Sequence, residues 1–180
     1  MHWGMLIDLR KCVGCYACSI VCQIENKLPL HERWSKMYKV GPEGQFPNLT
    51  GYSIPIPCMH CQDAPCVKDC PTGASYYRED GIVVVDKEKC MGCKLCMLVC
   101  PYGVRCYNEE EGIVEKCKMC YERLNEGQLT RCTETCQLKA RYVGDLDDPH
   151  SEIMQLIRKY NAKPLFEELG TKPSVYYIRA

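Results

Sequence analysis

The sequence predicts an α+β fold in which two small cysteine-rich units are nested, one inside the other. Two observations predict it. Seventeen of the 180 residues are cysteine, and sixteen of them fall into four sets of four. The ordinary core is thin, because the chain has only two Phe and two Trp, and its apolar share without cysteine is roughly 37%, below the usual range for globular domains. Groups bound by the cysteines are therefore expected to complete the core.

The composition disfavours two other classes of protein. Lys plus Arg and Asp plus Glu both number 23, so the basic surface of a nucleic-acid binder is not indicated. A disulfide scaffold is disfavoured because the cysteine count is odd, many cysteines are two residues apart, and MHWGMLIDLRKC has no export-signal features. No apolar run approaches the ~20 residues that span a bilayer. We therefore expect a soluble chain, or one that reaches a membrane only through partners.

The spacing within the four sets indicates iron–sulfur clusters. The first and third sets have the Cys-x2-Cys-x2-Cys-x3-Cys run of bacterial ferredoxins. The second and fourth sets are stretched between their second and third cysteines. Because zinc would leave surplus thiols in the complete runs, four [4Fe-4S] clusters are predicted, with zinc left open for the fourth set alone. The sets are Cys12, Cys15, Cys18 and Cys22; Cys58, Cys61, Cys66 and Cys70; Cys90, Cys93, Cys96 and Cys100; and Cys117, Cys120, Cys132 and Cys136.

The ferredoxin rule predicts how the sets share their ligands. Three cysteines of a run hold one cluster, and the fourth holds the neighbouring cluster. The second and third sets both end in Cys-Pro and are joined by a turn at 79–81 and a β-branched run, Ile82–Val85, so they pair, and the first and fourth sets pair across the whole chain. The predicted ligands are Cys12, Cys15, Cys18 and Cys136 for site I; Cys58, Cys61, Cys66 and Cys100 for site II; Cys70, Cys90, Cys93 and Cys96 for site III; and Cys22, Cys117, Cys120 and Cys132 for site IV. Sequential pairing, first with second and third with fourth, remains the alternative.

This pairing divides the chain into nested bacterial-ferredoxin-like units. Residues 1–26 plus 105–145 form the outer unit and residues 58–104 the inner unit. Residues 27–57 contain five prolines and are predicted to be an irregular, partner-facing insertion. Residues 146–180 form a C-terminal extension.

Local patterns predict a few short elements. Met5–Leu9 and Ile113–Glu115 are strands before the first and fourth sets. Tyr52, Ile54 and Ile56 alternate with Ser53, Pro55 and Pro57, as in an edge strand. Asp148-Pro149 predicts a helix of about twelve residues with Ile153, Leu156, Ile157 and Tyr160 on one face. SVYYIRA predicts a closing strand.

The order and spacing of the four sets resemble a known family. They are similar to those of the iron–sulfur electron-transfer subunits of molybdenum and tungsten oxidoreductases, the beta subunits of the dimethyl-sulfoxide reductase family, and among these to polysulfide and thiosulfate reductase subunits. The match includes GMLIDLRKCVGCYAC, CPTGASYYREDGIVVVD and RYVGDLDDP. The iron–sulfur subunit of tungsten aldehyde-oxidoreductase-type benzoyl-CoA reductases is similar too. Two positions differ from the family, which usually has proline after the last cysteine of the fourth set and shortly before its third. This chain has Gln137 at the first position and Leu129-Thr130 at the second. Every ligand position nevertheless holds cysteine.

The resemblance implies a function. The chain is expected to be a non-catalytic subunit that relays single electrons through four [4Fe-4S] clusters, to or from a large molybdenum- or tungsten-pterin catalytic subunit. A membrane anchor or a soluble electron carrier is a further candidate partner. The alternatives are a free-standing polyferredoxin shuttle and a zinc-stabilised scaffold. A cytoplasmic location is favoured, and export on a partner's signal stays open.

The remaining candidate residues carry weaker hypotheses. His60, inside the second set, is expected to hydrogen-bond or shield a sulfide. Lys94, inside the third set, is expected to be a solvated lysine, with a charge effect on a cluster as the alternative. Cys106, the seventeenth cysteine, is expected to be buried and inert. Residues 27–57 and the tail from about Lys163 are predicted to contact the catalytic subunit, the alternative being that both merely wrap the cluster domain.

Overall fold

The computed structural model describes residues 1–179, and it is α+β, as the sequence predicts. Short helices and strands alternate along the chain. The elements are β1 (Trp3–Asp8), α1 (Ala17–Glu25), β2 (Lys36–Gln45), β3 (Asn48–Ile56), α2 (Pro65–Lys68), β4 (Ser75–Tyr77), β5 (Val83–Val85), α3 (Leu95–Leu98), β6 (Cys106–Asn108), β7 (Ile113–Glu115), α4 (Tyr121–Asn125), α5 (Arg131–Glu134), β8 (Arg141–Asp145), α6 (Glu152–Tyr160), a 3-10 turn (Glu167–Leu169) and β9 (Val175–Ile178).

The first strand lies in the middle of a three-stranded sheet, in the order β8-β1-β9. It pairs antiparallel with β8 and parallel with β9. Its alternate side chains face two different cores: Met5 and Ile7 pack into the main core, which contains cysteines, and Leu6 packs against α6. A strand covered on both faces reads as a continuous apolar run, which explains the MLI segment.

Helix α6 covers the outer face of this sheet but is shorter than predicted. It spans nine residues instead of about twelve, because Ser151 is its N-cap and accepts a hydrogen bond from the Met154 N–H at 3.4 Å. Asp148 instead accepts the His150 N–H in the turn before the helix. Ile153 is buried, as the predicted face requires, and Gly144 of β8 leaves room for its side chain.

The insertion 27–57 is not the irregular segment that the sequence predicts. Strands β2 and β3 form a long antiparallel hairpin with a register shift between Val40 and Glu43. The predicted alternation in β3 is present with the opposite sense: Ser53 is buried, whereas Tyr52 is exposed. The reason is that the β3 end packs on the sheet, where the Tyr177 hydroxyl donates to the Pro55 carbonyl at 3.0 Å.

The C-terminal tail packs into the fold over residues 171–178, which favours the alternative that it wraps the cluster domain. Val175 and Tyr177 of β9 are at most 1% exposed. The segment before β9 runs along the second cysteine set. The main-chain N–H groups of Gln62 and Asp63 donate to the carbonyls of Lys172 and Thr171, respectively. The Ser174 N–H donates to the Met59 carbonyl. The tail thus clamps that loop.

The cysteine loops are tied together by small hairpins and helix pairs. Strands β4 and β5 pair between the second and third sets, and β6 pairs with β7 just before the fourth set. Helix α1 packs on α5, and α2 packs on α3. Within residues 1–179, no helix is both long enough and apolar enough to cross a bilayer.

Candidate iron–sulfur sites

All four cysteine sets share one feature of their backbone conformation. The residue before the second cysteine has a positive φ in every set: Gly14, His60, Gly92 and Met119. An alternation of left- and right-handed residues turns successive N–H groups towards one point and forms a concavity for anions, as in many iron–sulfur sites. Two of these positions hold glycine, which adopts this conformation without strain.

The third cysteine of every set lies at the start of a short helix. Cys18, Cys66, Cys96 and Cys132 are each the second residue of α1, α2, α3 and α5. The fourth cysteine follows within or just beyond the same helix, so it points to a different place from the first three. Because α1 packs on α5 and α2 on α3, each helix carries its fourth cysteine towards the loop of its partner.

Three cavities are each lined by four cysteines, and each group of four is one of the predicted sites. Cys12, Cys15, Cys18 and Cys136 line the first. Cys58, Cys61, Cys66 and Cys100 line the second. Cys70, Cys90, Cys93 and Cys96 line the third. In every case the fourth cysteine comes from the set on the packed partner helix.

The remaining four cysteines come together in the interior. Burial raises the pKa of Cys22, and the thiolates that raise it further are those of Cys117, Cys132 and Cys120. In the part of the chain that is described, 1–179, no three His, Cys, Asp or Glu side chains converge closely enough for a single metal ion, which is the arrangement that zinc in the fourth set would need. A cubane has one iron for each thiolate, so its ligands need not meet at one point.

The donor chemistry of these groups fits iron–sulfur clusters. Burial raises the pKa of both Cys61 and Cys117 to about 12, so their thiolates need a strong cationic partner, which iron supplies. Main-chain N–H groups already point at cysteine sulfurs: Met119 N lies 3.4 Å from the Cys117 Sγ, and Ala140 N lies 3.2 Å from the Cys136 Sγ.

The four groups have a definite order in space. Burial raises the pKa of Cys18 and the Cys132 thiolate raises it further, so site I lies next to site IV. The Cys58 thiolate raises the pKa of Cys117, although less than burial and the other cysteines of site IV do. Site IV therefore lies next to site II. Arg105 lines the cavities of both site II and site III. The order is therefore I, IV, II, III.

Exposure follows that order. The second cysteines of sites I and III, Cys15 and Cys93, are exposed, whereas Cys58, Cys61 and Cys117 are buried. The residue after the first cysteine is an exposed apolar side chain at both ends, Val13 at site I and Met91 at site III. The ends of the row are thus open at the surface, and its middle belongs to the main core.

Three buried cations lie among the cysteines and were missed by sequence reasoning. Arg105, Lys116 and Arg141 are each 3% exposed. Arg105 lies beside Cys66 and Cys96, and Arg141 beside Cys132 and Cys18. Nothing in their local sequence marks them, because burial of a lone Arg or Lys depends on elements that are distant along the chain.

The weaker hypotheses have separate outcomes. His60 is fully buried, and its Nδ1 accepts a hydrogen bond from the Val83 N–H at 3.2 Å. Its Nε2 has no hydrogen-bond partner among residues 1–179. Burial lowers the pKa of His60, so the ring is neutral. Lys94 is exposed, with Nζ 3.6 Å from the centre of the Tyr107 ring. Cys106 is half-buried instead of buried. Burial still raises its pKa, which keeps it a thiol, as expected of an inert cysteine.

Comparison with known proteins identifies relatives along nearly the whole chain. Residues 49–146 match the family model of the 4Fe-4S dicluster domain. A tetrathionate reductase subunit from Salmonella typhimurium is 42% identical, over 98% of this chain and 72% of that protein. A selenate reductase subunit from Mesobacillus selenatarsenatis is 39% identical, over 99% and 72%. The arsenate respiratory reductase iron-sulfur subunit of a Shewanella species is 36% identical, over 100% and 97%.

Proposed function

Because this chain belongs to the 4Fe-4S dicluster family that includes the iron–sulfur subunits of respiratory reductases, we propose that it relays single electrons through four [4Fe-4S] clusters. It is a non-catalytic subunit, and its partner is a catalytic subunit that carries a molybdenum or tungsten pterin. When bound, each cluster takes up and releases one electron at a time. The sixteen cysteines are the ligands, and the residues packed around them shield and tune the clusters.

The observation that carries this proposal is the single row of cysteine groups with open ends. Neighbouring groups follow one another in the order I, IV, II, III, and only the ends present an exposed cysteine. A row of this kind suits a path between two external partners. Burial of the middle sites and N–H groups aimed at the sulfurs set the reduction potentials.

Nested pairing of the ligands is part of the proposal. It is supported by the cavities that combine Cys136 with the first set, Cys100 with the second and Cys70 with the third. In this arrangement residues 1–26 plus 105–145 form the outer unit and residues 58–104 the inner unit. Sequential pairing would instead require Cys70 beside the first set.

Iron content is the direct test. Anaerobically purified protein is expected to hold about sixteen iron and sixteen acid-labile sulfide per chain, because four complete sets of four cysteines are present. About twelve iron, or stoichiometric zinc, would contradict the four-cluster proposal.

A single ligand variant tests the pairing. Cys22→Ser is expected to alter the spectrum of the cluster held by Cys117, Cys120 and Cys132, while the cluster held by Cys12, Cys15 and Cys18 stays unchanged. Cys106→Ser is the matched control, since Cys106 belongs to no site. A spectral change confined to the cluster of Cys12, Cys15 and Cys18 would exclude nested pairing.

The β2–β3 hairpin is the proposed contact with the catalytic subunit. It borders site I, where Met37 and Pro55 line the cavity, and its far end exposes Phe46 (89%) and Leu49 (51%). A stable interface there needs at least about 1,000 Å² of buried surface. Hydrogen exchange in 36–56 should slow in the complex relative to the isolated chain. Equal exchange in both samples, or a chain that purifies alone from its source, would favour the alternative of a free-standing shuttle.

A further inference from the structure

Within residues 1–179, no salt bridge joins a carboxylate to any of the three buried cations. Both Nη atoms of Arg105 find no hydrogen-bond partner among residues 1–179. Arg141 donates to the Met5 Sδ and the Ser35 Oγ, and Lys116 donates to the main-chain carbonyls of Val83 and Cys117. All these partners are neutral. Because a buried charge is costly unless an opposite charge lies beside it, each of the three needs an anion that its hydrogen-bond partners do not provide.

Arg105 lies between sites II and III. It lines both of the cavities that these cysteine groups surround. Burial lowers its pKa, but the thiolates of Cys66, Cys96 and Cys58 raise it more, and the net pKa is raised. Cys66 and Cys58 belong to site II and Cys96 to site III, so the guanidinium faces both groups at once.

Arg141 has the equivalent place in the outer unit. It lines the cavity of site I, and the thiolates that raise its pKa against the effect of burial are those of Cys132, in site IV, and Cys18, in site I. It comes from β8, whereas Arg105 precedes β6, so the two arginines reach corresponding gaps from unrelated elements.

Lys116 lies in the remaining gap between neighbouring sites, the one between site IV and site II. Its Nζ donates to the carbonyl of Cys117, a cysteine of site IV, at 2.9 Å. It also donates to the carbonyl of Val83, a residue that lines the cavity of site II. Each of the three gaps in the row I, IV, II, III therefore contains one buried cation.

We propose that Arg141, Lys116 and Arg105 are positioning residues of the electron relay, each raising the reduction potentials of the two clusters that flank its gap. The inference rests on the proposed function, because the clusters are the missing anions. A [4Fe-4S] cluster with four thiolates is negatively charged and gains one more negative charge on reduction. A fixed cation in a poorly polarisable interior favours the more negative form. Because each cation is shared, it moves both neighbours in the same direction.

The test removes one charge at a time from the fully loaded protein. Arg141→Gln, Lys116→Gln and Arg105→Gln are each titrated potentiometrically, with the clusters followed by electron paramagnetic resonance. Arg105→Gln is expected to lower the potentials of clusters II and III. Lys116→Gln is expected to lower those of IV and II, and Arg141→Gln those of I and IV. Iron content should stay at the wild-type level.

Matched controls separate buried from exposed charge. Lys118 also adjoins Cys117, but its side chain reaches solvent and pairs with Glu122, so Lys118→Gln is expected to shift the potentials much less than Lys116→Gln, because solvent screens exposed charges. Arg158, which is exposed on α6, supplies the control for the arginines. Arg105→Lys keeps the charge with a shorter reach and no planar fork, and it should lower the same two potentials less than Arg105→Gln does.

Several results would overturn the inference. Unchanged potentials in fully loaded Gln variants would do so, as would shifts that fall on the wrong pair of clusters. If one Gln variant fails to bind iron, the other two decide. Loss of iron in all three, and in Arg105→Lys as well, would show a purely structural role. A wild-type protein without clusters would instead refute the proposed function.

Discussion

Sites I and III differ from sites II and IV in how far they are covered, although each set has a left-handed residue before its second cysteine. Cys15 and Cys93 are exposed, whereas the equivalent Cys61 of site II is 8% exposed and Cys120 of site IV is half-buried. The covered sites are those whose sequence motif is stretched between the second and third cysteines. In the second set, the extra residues Gln62 and Asp63 hydrogen-bond to the tail; in the fourth, they include α4. The additional residues of a stretched motif therefore either cover the site themselves or hold another segment of the chain over it.

The largest difference between the two kinds of site is expected from loss of a ligand. Cys58→Ser should prevent folding or remove most of the iron, because its thiolate is part of the main core and metal binding there is inseparable from folding. Cys93→Ser should leave a folded chain that has lost about a quarter of its iron, because only one of four clusters loses a ligand. Iron content and thermal unfolding of both variants are the measurements. Equal losses would show that exposure does not govern the role of a site in the fold.

Removal of iron by a chelator should separate the same sites by rate. We expect two phases of roughly equal amplitude, since two of the four clusters are open to solvent. The fast phase should come from sites I and III. Trp34, which is buried, gives a fluorescence signal for the core, and this signal should change only in the slow phase. A single phase would mean that all four sites open together.

Glycine substitutions test whether an exposed site is also a loose one. Gly92, in the third set, and Gly103, beyond it, both have a positive φ, so alanine costs about 1–2 kcal/mol at either position. At Gly92 the new Cβ would also meet the Gly112 carbonyl oxygen, whereas at Gly103 it meets nothing within 4 Å. Gly92→Ala should therefore lower the free energy of unfolding more than Gly103→Ala and reduce binding at site III. Similar decreases in the free energy of unfolding would indicate that the loop of the third set moves to make room for the new side chain.

The smallest expected effect comes from a buried carboxylate, that of Glu32. Glu32 is 5% exposed, and its carboxylate has no hydrogen-bond partner within the described residues; burial raises its pKa, and the nearby Glu115 raises it further. Glu32→Gln should therefore increase the free energy of unfolding, by on the order of 1 kcal/mol.

The pH dependence of this gain has a defined sign. A folded-state pKa above the unfolded one makes the ionised Glu32 destabilising at higher pH, and this penalty disappears as pH falls through the raised pKa. The gain of Glu32→Gln should thus be larger at about pH 8 than at about pH 5. Glu168→Gln, at an exposed position, is the control and should show neither effect. A gain that does not depend on pH would point to packing instead of charge.

The sequence predicted the parts of this molecule that depend on local spacing. The α+β class, the closing strand β9 and the helix with Ile153 on its buried face follow from short patterns. The hairpin at 36–56 was predicted as irregular, because its prolines and glycines conceal the strand pattern. Burial of Arg105, Lys116 and Arg141, and the tail that clamps residues 59–63, result from contacts between distant parts of the chain. Such contacts leave no periodic trace in one sequence.

The place of β1 in the middle of its sheet has a consequence for synthesis of the chain. This strand is synthesised well before its sheet neighbours β8 and β9. At ordinary elongation rates it waits on the order of ten seconds for them. The segment 58–104 can meanwhile collect all its local contacts, so we expect maturation to proceed from the middle of the polypeptide outwards. Until β8 and β9 are made, the apolar MLI run has no sheet partner on either side and is open to aggregation.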